Sequence, residues 1–411
     1  MNFKKKTSPD LLLDTRCPSS SERKEFLTKN GSILQEKLIA TFGPRYKLPI
    51  RCFSAKEIFK FTNNFTPVVN VSKSLFLGSS YFDLIRGHFQ ERPILVAKVR
   101  RYFFSARNHY YPCRPDEIIH NIVISSQMCH LEHVLKLIGC CLEFEFPVLV
   151  YEYVNVTVLY DFLYQEENVS YFTNWRNRIK IIQDIAYSLA YLHDAFPTTI
   201  IHQKLDLCSV FVDQSGNPKF LDFSYCLPLP PGKMQFQISI IRGNPGFIDP
   251  EFRESFSVTP KTDVYSIGVL LFVLVTGRKV FEEVVGDAGA NNKPIHVSEY
   301  VRDCLVNDQL SQVAVSEIWE SDEDRVEKLL QLKALMELAL RCTLEKGEDR
   351  PHMIEVARKL HQIYKTSIDM NRDDQEAKEL IHGLITRARA KRSRHRMIAS
   401  LNEWVLLLKK P

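Results

Sequence analysis

At 411 residues the chain is too long for one small domain, and its 45% hydrophobic, 11% aromatic and 25% charged residues are typical of a globular protein with a substantial core. The longest apolar run, from Ile267 to Gly277, falls short of the ~18 residues that span a membrane. The ten cysteines form no CxxC pair, so neither a zinc site nor a disulfide framework is indicated, and we expect reduced thiols in a cytoplasmic protein.

Residues 1–50 are predicted to form an N-terminal segment with a polar, disordered start followed by short helices. Ser32 and Gln35 have the S-x-x-Q spacing of a capping box, which predicts a helix beginning there, and Gly43 provides a C-terminal stop. The apolar stripe of this helix fits either packing on the following domain, which we favour, or binding to a partner.

Two apolar patterns divide the rest of the chain. The alternation from Leu75 to Val99 and the apolar run from Phe146 to Val154 predict strands. From Trp175 onward, apolar residues recur with the 3.6-residue period of helices. A small strand-rich part followed by a larger helical part predicts an α+β fold with two lobes.

The C-terminal segment, residues 366–411, is predicted to be a basic helical tail. Residues 365–411 hold eleven Lys and Arg against six Asp and Glu, so this end carries the whole net charge of +5. Because no aromatic residues interleave with the basic run from Arg387 to Arg396, we expect a solvated helix face and no nucleic-acid binding. Peripheral contact with an acidic plasma membrane is the other account.

Five segments match the motifs of one family, in the family's order. They are FSAKEIFKFTNNF from Phe53, LIGCCLEFEFPVLVYEYV from Leu137, GNPGFIDPEF from Gly243, KTDVYSIGVLLFVLVTGRK from Lys261 and CTLEKGEDRPHMIEV from Cys342. The chain therefore resembles a protein kinase domain of the plant receptor-like type. This resemblance implies a bilobal kinase-like domain over 51–365, with a small β-rich N-lobe, a larger helical C-lobe and an activation segment at about 222–251.

The front end is more specific within that family. The run KNGSILQEKLIATFGPRYKLPIRCFS, from Lys29 to Ser54, resembles the ZRK-type receptor-like cytoplasmic kinases. That group includes immune adaptor pseudokinases. The resemblance implies two kinds of partner, a coiled-coil NLR immune receptor and other receptor-like cytoplasmic kinases that pathogen effectors target.

Phosphoryl transfer depends on positioning and electrostatics, and the resemblance indicates which residue stands at each position. In the glycine-rich loop Gly78 matches the first glycine, but Ser80 stands at the second position, and the third is either Asp83 or missing. Side chains at these positions hinder the approach of the backbone to phosphates. Lys98 matches the strand lysine that holds the phosphates. A nucleotide contact and a purely structural role are both open for it.

The remaining nucleotide-side positions are also altered. The helix glutamate that pairs with the strand lysine is Asn121 here, which cannot form an ion pair, and Glu117 one turn earlier is a candidate substitute. Tyr151 stands at the gatekeeper position and Tyr153 in the hinge. These residues make nucleotide binding weak or vestigial, because Tyr151 can fill the site rather than line it.

The catalytic loop departs furthest from the family. Lys204 replaces the aspartate base, and a protonated amine cannot accept a proton, so a term typically worth ~10²–10⁴-fold in rate is lost. Asp206 replaces a phosphate-binding lysine, and Ser209 replaces the magnesium-binding asparagine with a weaker ligand. Asp222, in the sequence DFS, is the metal ligand of the family motif that is retained.

Residues with structural roles in the family are retained. Glu251 and Arg350 match the pair that ties the activation segment down by a buried, bidentate contact, and Asp263 matches the acid that holds the catalytic-loop backbone. Ser239 is the only hydroxyl residue between Tyr225 and Gly243, which makes it the candidate modification site of the activation segment.

These observations favour an inactive pseudokinase that acts as an adaptor in plant intracellular immunity and requires no cofactor. Two alternatives remain: a weak ATP-dependent Ser/Thr kinase that uses Lys98, Ser209 and Asp222 with magnesium, and a switch that binds ATP without phosphate transfer. The retained Lys98 and Asp222 favour nucleotide binding, whereas Asp83, Asp206 and Tyr151 oppose it.

Overall fold

The fold is given by a computed structural model of the full chain. It describes residues 16–44, 46–66, 68–69, 82–99, 102–104, 110–112, 114–164, 174–230, 232–241, 243–282, 294–307, 313 and 325–365. The predicted basic tail, Gly78 and the start of the N-terminal segment lie outside these residues.

The described residues divide into two compact units. The strand-rich unit takes its residues from Met1–Leu38, Lys47–His130 and Leu135–Asn155. The helical unit takes its residues from Ile39–Tyr46, Leu131–Val134 and Val156–Pro411. One unit built mainly on a sheet and one built mainly on helices agree with the predicted α+β class.

Up to Glu152, the described residues form three helices and eight strands. They are α1 (Ser20–Phe42), β1 (Arg51–Cys52), α2 (Ala55–Phe61), β2 (Val68–Val69), β3 (Phe82–Phe89), β4 (Arg92–Val99), β5 (Tyr102–Phe104), β6 (Tyr110–Pro112), α3 (Pro115–Met128), β7 (Leu137–Cys141) and β8 (Val148–Glu152). Six strands form one sheet in the order β1-β7-β8-β4-β3-β2, and β5 pairs with β6.

The six-stranded sheet has two chemically distinct faces. In antiparallel strands, residues opposite each other project to the same side, and Ile85, Val96 and Val150 are opposite one another across β3, β4 and β8. All three are buried in an apolar cluster with Ile58 of α2 and Phe65, the α2 face. Alternation then places Tyr151 on the other face, the Tyr151 face.

Helix α1 differs from the prediction. It is one continuous helix from Ser20 to Phe42, and the Ser32 hydroxyl donates to the Thr28 carbonyl at 2.9 Å instead of capping a new helix. The predicted capping box is therefore wrong. The predicted stop is confirmed, because Gly43 has a φ of 82° and donates its N–H to the Ile39 carbonyl at 2.8 Å.

From Val156 onward, the part of the chain that the structure describes forms seven α-helices and nine short strands. They are β9 (Val156–Val158), α4 (Leu159–Tyr164), α5 (Trp175–Asp194), β10 (Ile200–Ile201), β11 (Val210–Asp213), β12 (Pro218–Phe220), β13 (Leu227–Pro228), β14 (Phe236–Gln237), α6 (Pro250–Ser255), β15 (Ser257–Val258), α7 (Pro260–Thr276), β16 (Phe281–Glu282), β17 (Ile295–His296), α8 (Val297–Val306), α9 (Arg325–Cys342) and α10 (Met353–Lys365).

Helix α7 is the centre of the helical unit. Thr259 caps its N-terminus by accepting the Lys261 N–H, Pro260 occupies the first turn, and Gly277 ends it in the left-handed conformation with a φ of 67°. Fifteen of its residues, Thr262 to Thr276, are buried without a break. Such an all-round apolar helix is stable only inside a core, which explains the apolar run in the sequence. Among the described residues no helix is long and apolar enough to cross a membrane.

Candidate functional site

The predicted site residues fall in both units. Lys98, Asn121, Tyr151 and Tyr153 belong to the strand-rich unit. The helical unit contains Lys204, Asp206, Ser209, Asp222, Ser239, Glu251, Asp263 and Arg350. Each set is described within its own unit.

The strand register corrects the expectation for Lys98. Lys98 is two residues beyond Val96 on β4, so its side chain belongs to the α2 face and not to the Tyr151 face. Its ammonium lies 4.2 Å from the centroid of the buried Phe65 ring, a cation–π contact. The matching position on the Tyr151 face is taken by neighbouring apolar residues, Ala97 and Val99. Lys98 is next to the position of the phosphate-holding lysine in sequence, but its side chain lies on the opposite face of the sheet.

On helix α3, the residue at the position of the family's glutamate is an asparagine that bonds within its own helix. Asn121 is fully buried, and its Oδ1 accepts a hydrogen bond from the Ser125 hydroxyl at 2.7 Å, one turn further on. The substitute considered above, Glu117, lies in the first turn and accepts the Arg114 backbone N–H at 3.4 Å. An amide bonded within its own helix gives this position no negative charge with which to orient a lysine.

The two tyrosines at the gatekeeper and hinge positions share one face. Tyr151 is completely buried on β8, and its opposite residue on β4 is Leu95. Tyr153 is half-buried, and the Arg86 guanidinium lies 4.7 Å from the centroid of its ring. Leu95 is opposite Arg86 on β3, which puts these four side chains on the Tyr151 face.

The backbone of the catalytic loop is held by one buried carboxylate. Asp263, in the first turn of α7, accepts the His202 N–H at 2.7 Å and the Gln203 N–H at 2.9 Å. It also lies 2.8 Å from Nε2 of His193, at the end of α5. Gln203 has a φ of 65°, a left-handed conformation that is costly for a residue with a side chain. The three contacts of Asp263 stabilise that strained turn.

Asp206 and Ser209 form a closed hydrogen-bonded turn. Oδ1 of Asp206 accepts the N–H groups of Cys208 and Ser209, each at 2.8 Å. The Ser209 hydroxyl donates to the Asp206 carbonyl and accepts the Asp206 N–H, both at 2.9 Å. Burial raises the pKa of Asp206, although the nearby Lys204 charge and these N–H donors act in the opposite direction. Both side chains, expected at the phosphate and metal positions, are bonded to their own loop.

Lys204 is also buried, at 8% exposure. Its ammonium lies 5.2 Å from the centroid of the Tyr225 ring, three residues past Asp222. The residue at the base position thus lies against an aromatic ring of the activation segment.

Asp222 precedes an apolar and aromatic cluster. Its Oδ1 accepts the Ser224 N–H at 3.0 Å, and Phe223 is buried beside Phe220, with ring centroids 6.1 Å apart. The His202 ring lies 5.4 Å from the Phe220 ring, and burial lowers the pKa of His202, so the imidazole is neutral at pH 7. No group of three or more His, Cys, Asp or Glu able to hold a metal occurs in the part of the chain that the structure describes.

The contact predicted for Arg350 involves a different acid. The Arg350 guanidinium binds both carboxylate oxygens of Asp249, at 2.5 and 2.8 Å, and lies 3.9 Å from Glu251. Glu251 is half exposed and its carboxylate accepts the Gly347 N–H at 2.5 Å. The bidentate partner is therefore Asp249 rather than Glu251, because Asp249 caps α6 and its side chain is already directed into the core.

Asp249 could have been identified from sequence. An Asp immediately before Pro250 is a strong N-cap signal, and Asp249 does accept the Glu251 N–H at 3.0 Å. The bond to the helix N-terminus fixes the orientation of the Asp249 carboxylate, and this makes Asp249 a better ion-pair partner for Arg350 than Glu251. Burial raises the pKa of Asp249, while Arg350 opposes that shift.

Ser239 is exposed, in a stretch of the activation segment where β14 pairs with β15. Its neighbours include apolar side chains that are also exposed, Phe236 at 40% and Ile240 at 50%. A hydroxyl at this position is open to solvent.

The comparisons with known proteins agree with these motifs. A family model described as the protein kinase domain matches residues 105–404. The chain belongs to the protein kinase family. It is 35% identical to the Non-functional pseudokinase ZED1 of Arabidopsis thaliana, over 85% of this chain and 99% of that relative. It is 33% identical to the Serine/threonine-protein kinase ZRK1 of the same plant, over 83% of this chain and 92% of that one.

More distant kinase relatives match as well. The Wall-associated receptor kinase-like 1 of Arabidopsis thaliana is 30% identical over 86% of this chain and 46% of its own length. The resemblance to the ZRK-type and receptor-like kinases, and the kinase fold, are thereby confirmed. Several relatives are named non-functional or inactive, which supports a pseudokinase interpretation, although others are named kinases.

Proposed function

We propose that this kinase-family chain is a catalytically inactive adaptor in plant intracellular immunity. In this proposal the fold presents surfaces to a coiled-coil NLR immune receptor and to other receptor-like cytoplasmic kinases. The chain would act in the cytoplasm, with the basic tail contacting an acidic plasma membrane. Neither ATP nor magnesium is required for this role.

The closed turn of Asp206 and Ser209 is the observation that carries the proposal. In an active kinase this loop must turn a base, a cation and a metal ligand toward the substrate. Here the two short side chains are bonded to their own backbone, and the base position holds a buried lysine. Turning the Asp206 carboxylate outward would leave the Cys208 N–H without its acceptor, at a cost of about 1–3 kcal/mol, and the Ser209 N–H with only the Asp206 carbonyl at 3.3 Å.

The position of Lys98 weakens both alternatives. A weak kinase and an ATP-binding switch each need a cation for the phosphates, and the ammonium of Lys98 lies against Phe65 on the α2 face. Of Lys98 and Asp222, the two retained residues that favoured nucleotide binding, only Asp222 still supports these alternatives.

Phosphate transfer by the purified full chain tests the inactive half of the proposal. The chain is incubated with ATP and either magnesium or manganese, and phosphate is located by mass spectrometry. We expect none in either metal. An Asp222→Asn variant is the matched control, and phosphosites present in the unaltered chain but absent from this variant would show that it is an enzyme.

Binding measurements test the adaptor half. If the activation segment is the modified surface, then Ser239→Asp changes the Kd for an effector-targeted cytoplasmic kinase, or for the NLR receptor, by at least ~10-fold (about 1.4 kcal/mol) relative to Ser239→Ala. Ser215→Asp adds the same charge at an exposed turn outside the activation segment and should leave the Kd unchanged. Equal effects of the two aspartates would reject the surface, and no binding by any form would reject the adaptor role.

A further inference from the structure

Two cysteines of the strand-rich unit are opposite each other on adjacent strands. Cys52 of β1 is the register partner of Cys140 of β7 in a parallel pair, and Phe53 donates its N–H to the Cys140 carbonyl at 2.8 Å. Neighbouring strands lie about 4.7–4.9 Å apart, within the ~4.4–6.8 Å range of Cα separations that a disulfide spans. The backbone spacing therefore permits a bond between them.

Both thiols project to the same side of the sheet. Phe53 and Cys141 are both buried in the apolar cluster on the α2 face. A Cβ atom added at Gly139 would lie 2.3 Å from the Phe53 ring, which confirms that positions 139 and 141 of β7, beyond the register shift after Leu137, point toward Phe53. Side chains alternate along a strand, so Cys52 and Cys140, each one residue earlier, share the opposite face.

The two thiols differ in exposure and in pKa. Cys52 is exposed and Cys140 is fully buried. A hydrogen bond with the Cys140 thiol lowers the pKa of Cys52 to about 6, and the same contact together with burial raises the pKa of Cys140. The lowered pKa favours the thiolate form at Cys52, the thiol that solvent reaches, and the raised pKa favours the protonated form at Cys140.

We propose that Cys52 and Cys140 are an oxidation site, at which a peroxide converts the two thiols into an intramolecular disulfide. The Cys52 thiolate attacks one peroxide oxygen, the O–O bond breaks, and with one proton the products are a Cys52 sulfenic acid and water. The Cys140 sulfur then displaces the sulfenic hydroxyl, its proton leaves with that group as a second water, and the S–S bond forms. Two thiols lose two electrons and two protons, and the peroxide is reduced to two waters.

The bond would fix the chain entering the sheet. β1 contributes only Arg51 and Cys52 and is the edge strand beside β7. A covalent link to β7 would hold that short edge in register, because the two residues are 88 positions apart in sequence and the link closes a long loop.

Alkylation of the native full chain is the first test and needs no variant. The rate at Cys52 is followed by mass spectrometry between pH 5 and 9, with Cys17, another exposed cysteine, as the reference in the same sample. We expect the rate at Cys52 to level off above about pH 6–7, whereas an ordinary thiol gains ~10-fold per pH unit up to about pH 8.5. A profile for Cys52 that still rises tenfold per unit at pH 8 would overturn the thiolate assignment.

Peroxide treatment is the second test. After hydrogen peroxide and blocking of free thiols, we expect a 52–140 linked peptide that dithiothreitol releases. In Cys140→Ser the sulfenic acid at Cys52 should persist and be trapped by dimedone, and in Cys52→Ser no link should form at Cys140. Cys140→Ala, which has a similar volume and no polar group, guards against misfolding of the serine variant. A Cys52 link to Cys141 or to a second chain, or a stable sulfenic acid in the unaltered protein, would reject the pair.

Discussion

Two sets of buried polar residues in the helical unit differ in how far along the chain their hydrogen-bond partners lie. Asp263, Asp249 and Arg350 are buried and hold backbone, and each has its hydrogen bonds to a loop or to an oppositely charged group. Lys204, Asp206 and Ser209 stand at the positions of chemistry, and they are buried as well. The first set joins distant segments, whereas Asp206 and Ser209 bond within four residues of each other.

This difference separates the requirements of the fold from those of catalysis. A catalytic loop must direct charges outward, which costs stability unless a ligand compensates. Once phosphate transfer is not needed, local hydrogen bonds can satisfy the same backbone groups. The long-range set has no such freedom, because each of its members leaves a buried partner uncompensated when it is removed. The two sets should therefore respond very differently to substitution.

Removing Arg350 should have the largest effect. Arg350→Ala leaves the buried Asp249 carboxylate without its partner, and we expect the free energy of unfolding to fall by about 3–5 kcal/mol, measured by urea denaturation. Glu251→Ala is the matched control, because Glu251 lies 3.9 Å from the guanidinium and is half exposed, and we expect it to cost less than half as much. Equal losses in the two variants would restore Glu251 as the principal partner.

Asp263→Asn should have the next largest effect. The amide that replaces one oxygen cannot accept the N–H groups of His202 or Gln203, so one buried donor loses its acceptor at a cost of about 1–3 kcal/mol. Faster amide hydrogen exchange at residues 202 and 203, measured by mass spectrometry, would locate the loss. Ser209→Ala affects only the local turn, and unchanged exchange at 202 and 203 in that variant is the expected contrast.

Acid should destabilise the helical unit partly through His202. Burial holds the pKa of folded His202 below the ordinary 6.5, so the unfolded chain binds a proton that the folded chain does not. The stabilisation is complete above pH 6.5 and is lost as the pH falls from there toward the folded pKa, with a slope of at most about 1.4 kcal/mol per pH unit. Unfolding free energies of His202→Phe between pH 7.5 and 5 should show a shallower slope than those of the unaltered chain. An identical slope would exclude His202 as a source.

The sequence alone predicts the helices and the residue identities at the catalytic positions, but not the orientation of the side chains. Helix α7 follows from the sequence as an apolar run too short to span a membrane, and it ends at Gly277. The replacement of the family's aspartate at the base position follows from residue identity, because residue 204 is a lysine. What sequence could not give was direction: the bonding of Asp206 to its own loop and the choice of Asp249 over Glu251 depend on side-chain geometry.

Lys98 shows why direction was decisive in the strand-rich unit. A gapless comparison of ILVAKV with the family motif places a lysine at the expected position, yet side chains on a strand alternate, and a shift of one residue moves Lys98 to the other face. The motif letters fit, and only the pairing of Leu95 with Tyr151 revealed that Lys98 does not share the Tyr151 face.

Lys98→Met should therefore have the smallest effect, and it tests that correction. Methionine keeps the apolar stem and loses the charge over Phe65, so we expect a loss of about 0.5–1 kcal/mol in unfolding free energy. A double-mutant cycle with Phe65→Leu should return a coupling of that size, since Phe65 is the contact removed. The apparent affinity for ATP, by thermal shift, should be the same with and without Lys98. A drop in ATP affinity of tenfold or more, together with no coupling to Phe65, would return Lys98 to the Tyr151 face and revive the nucleotide-switch alternative.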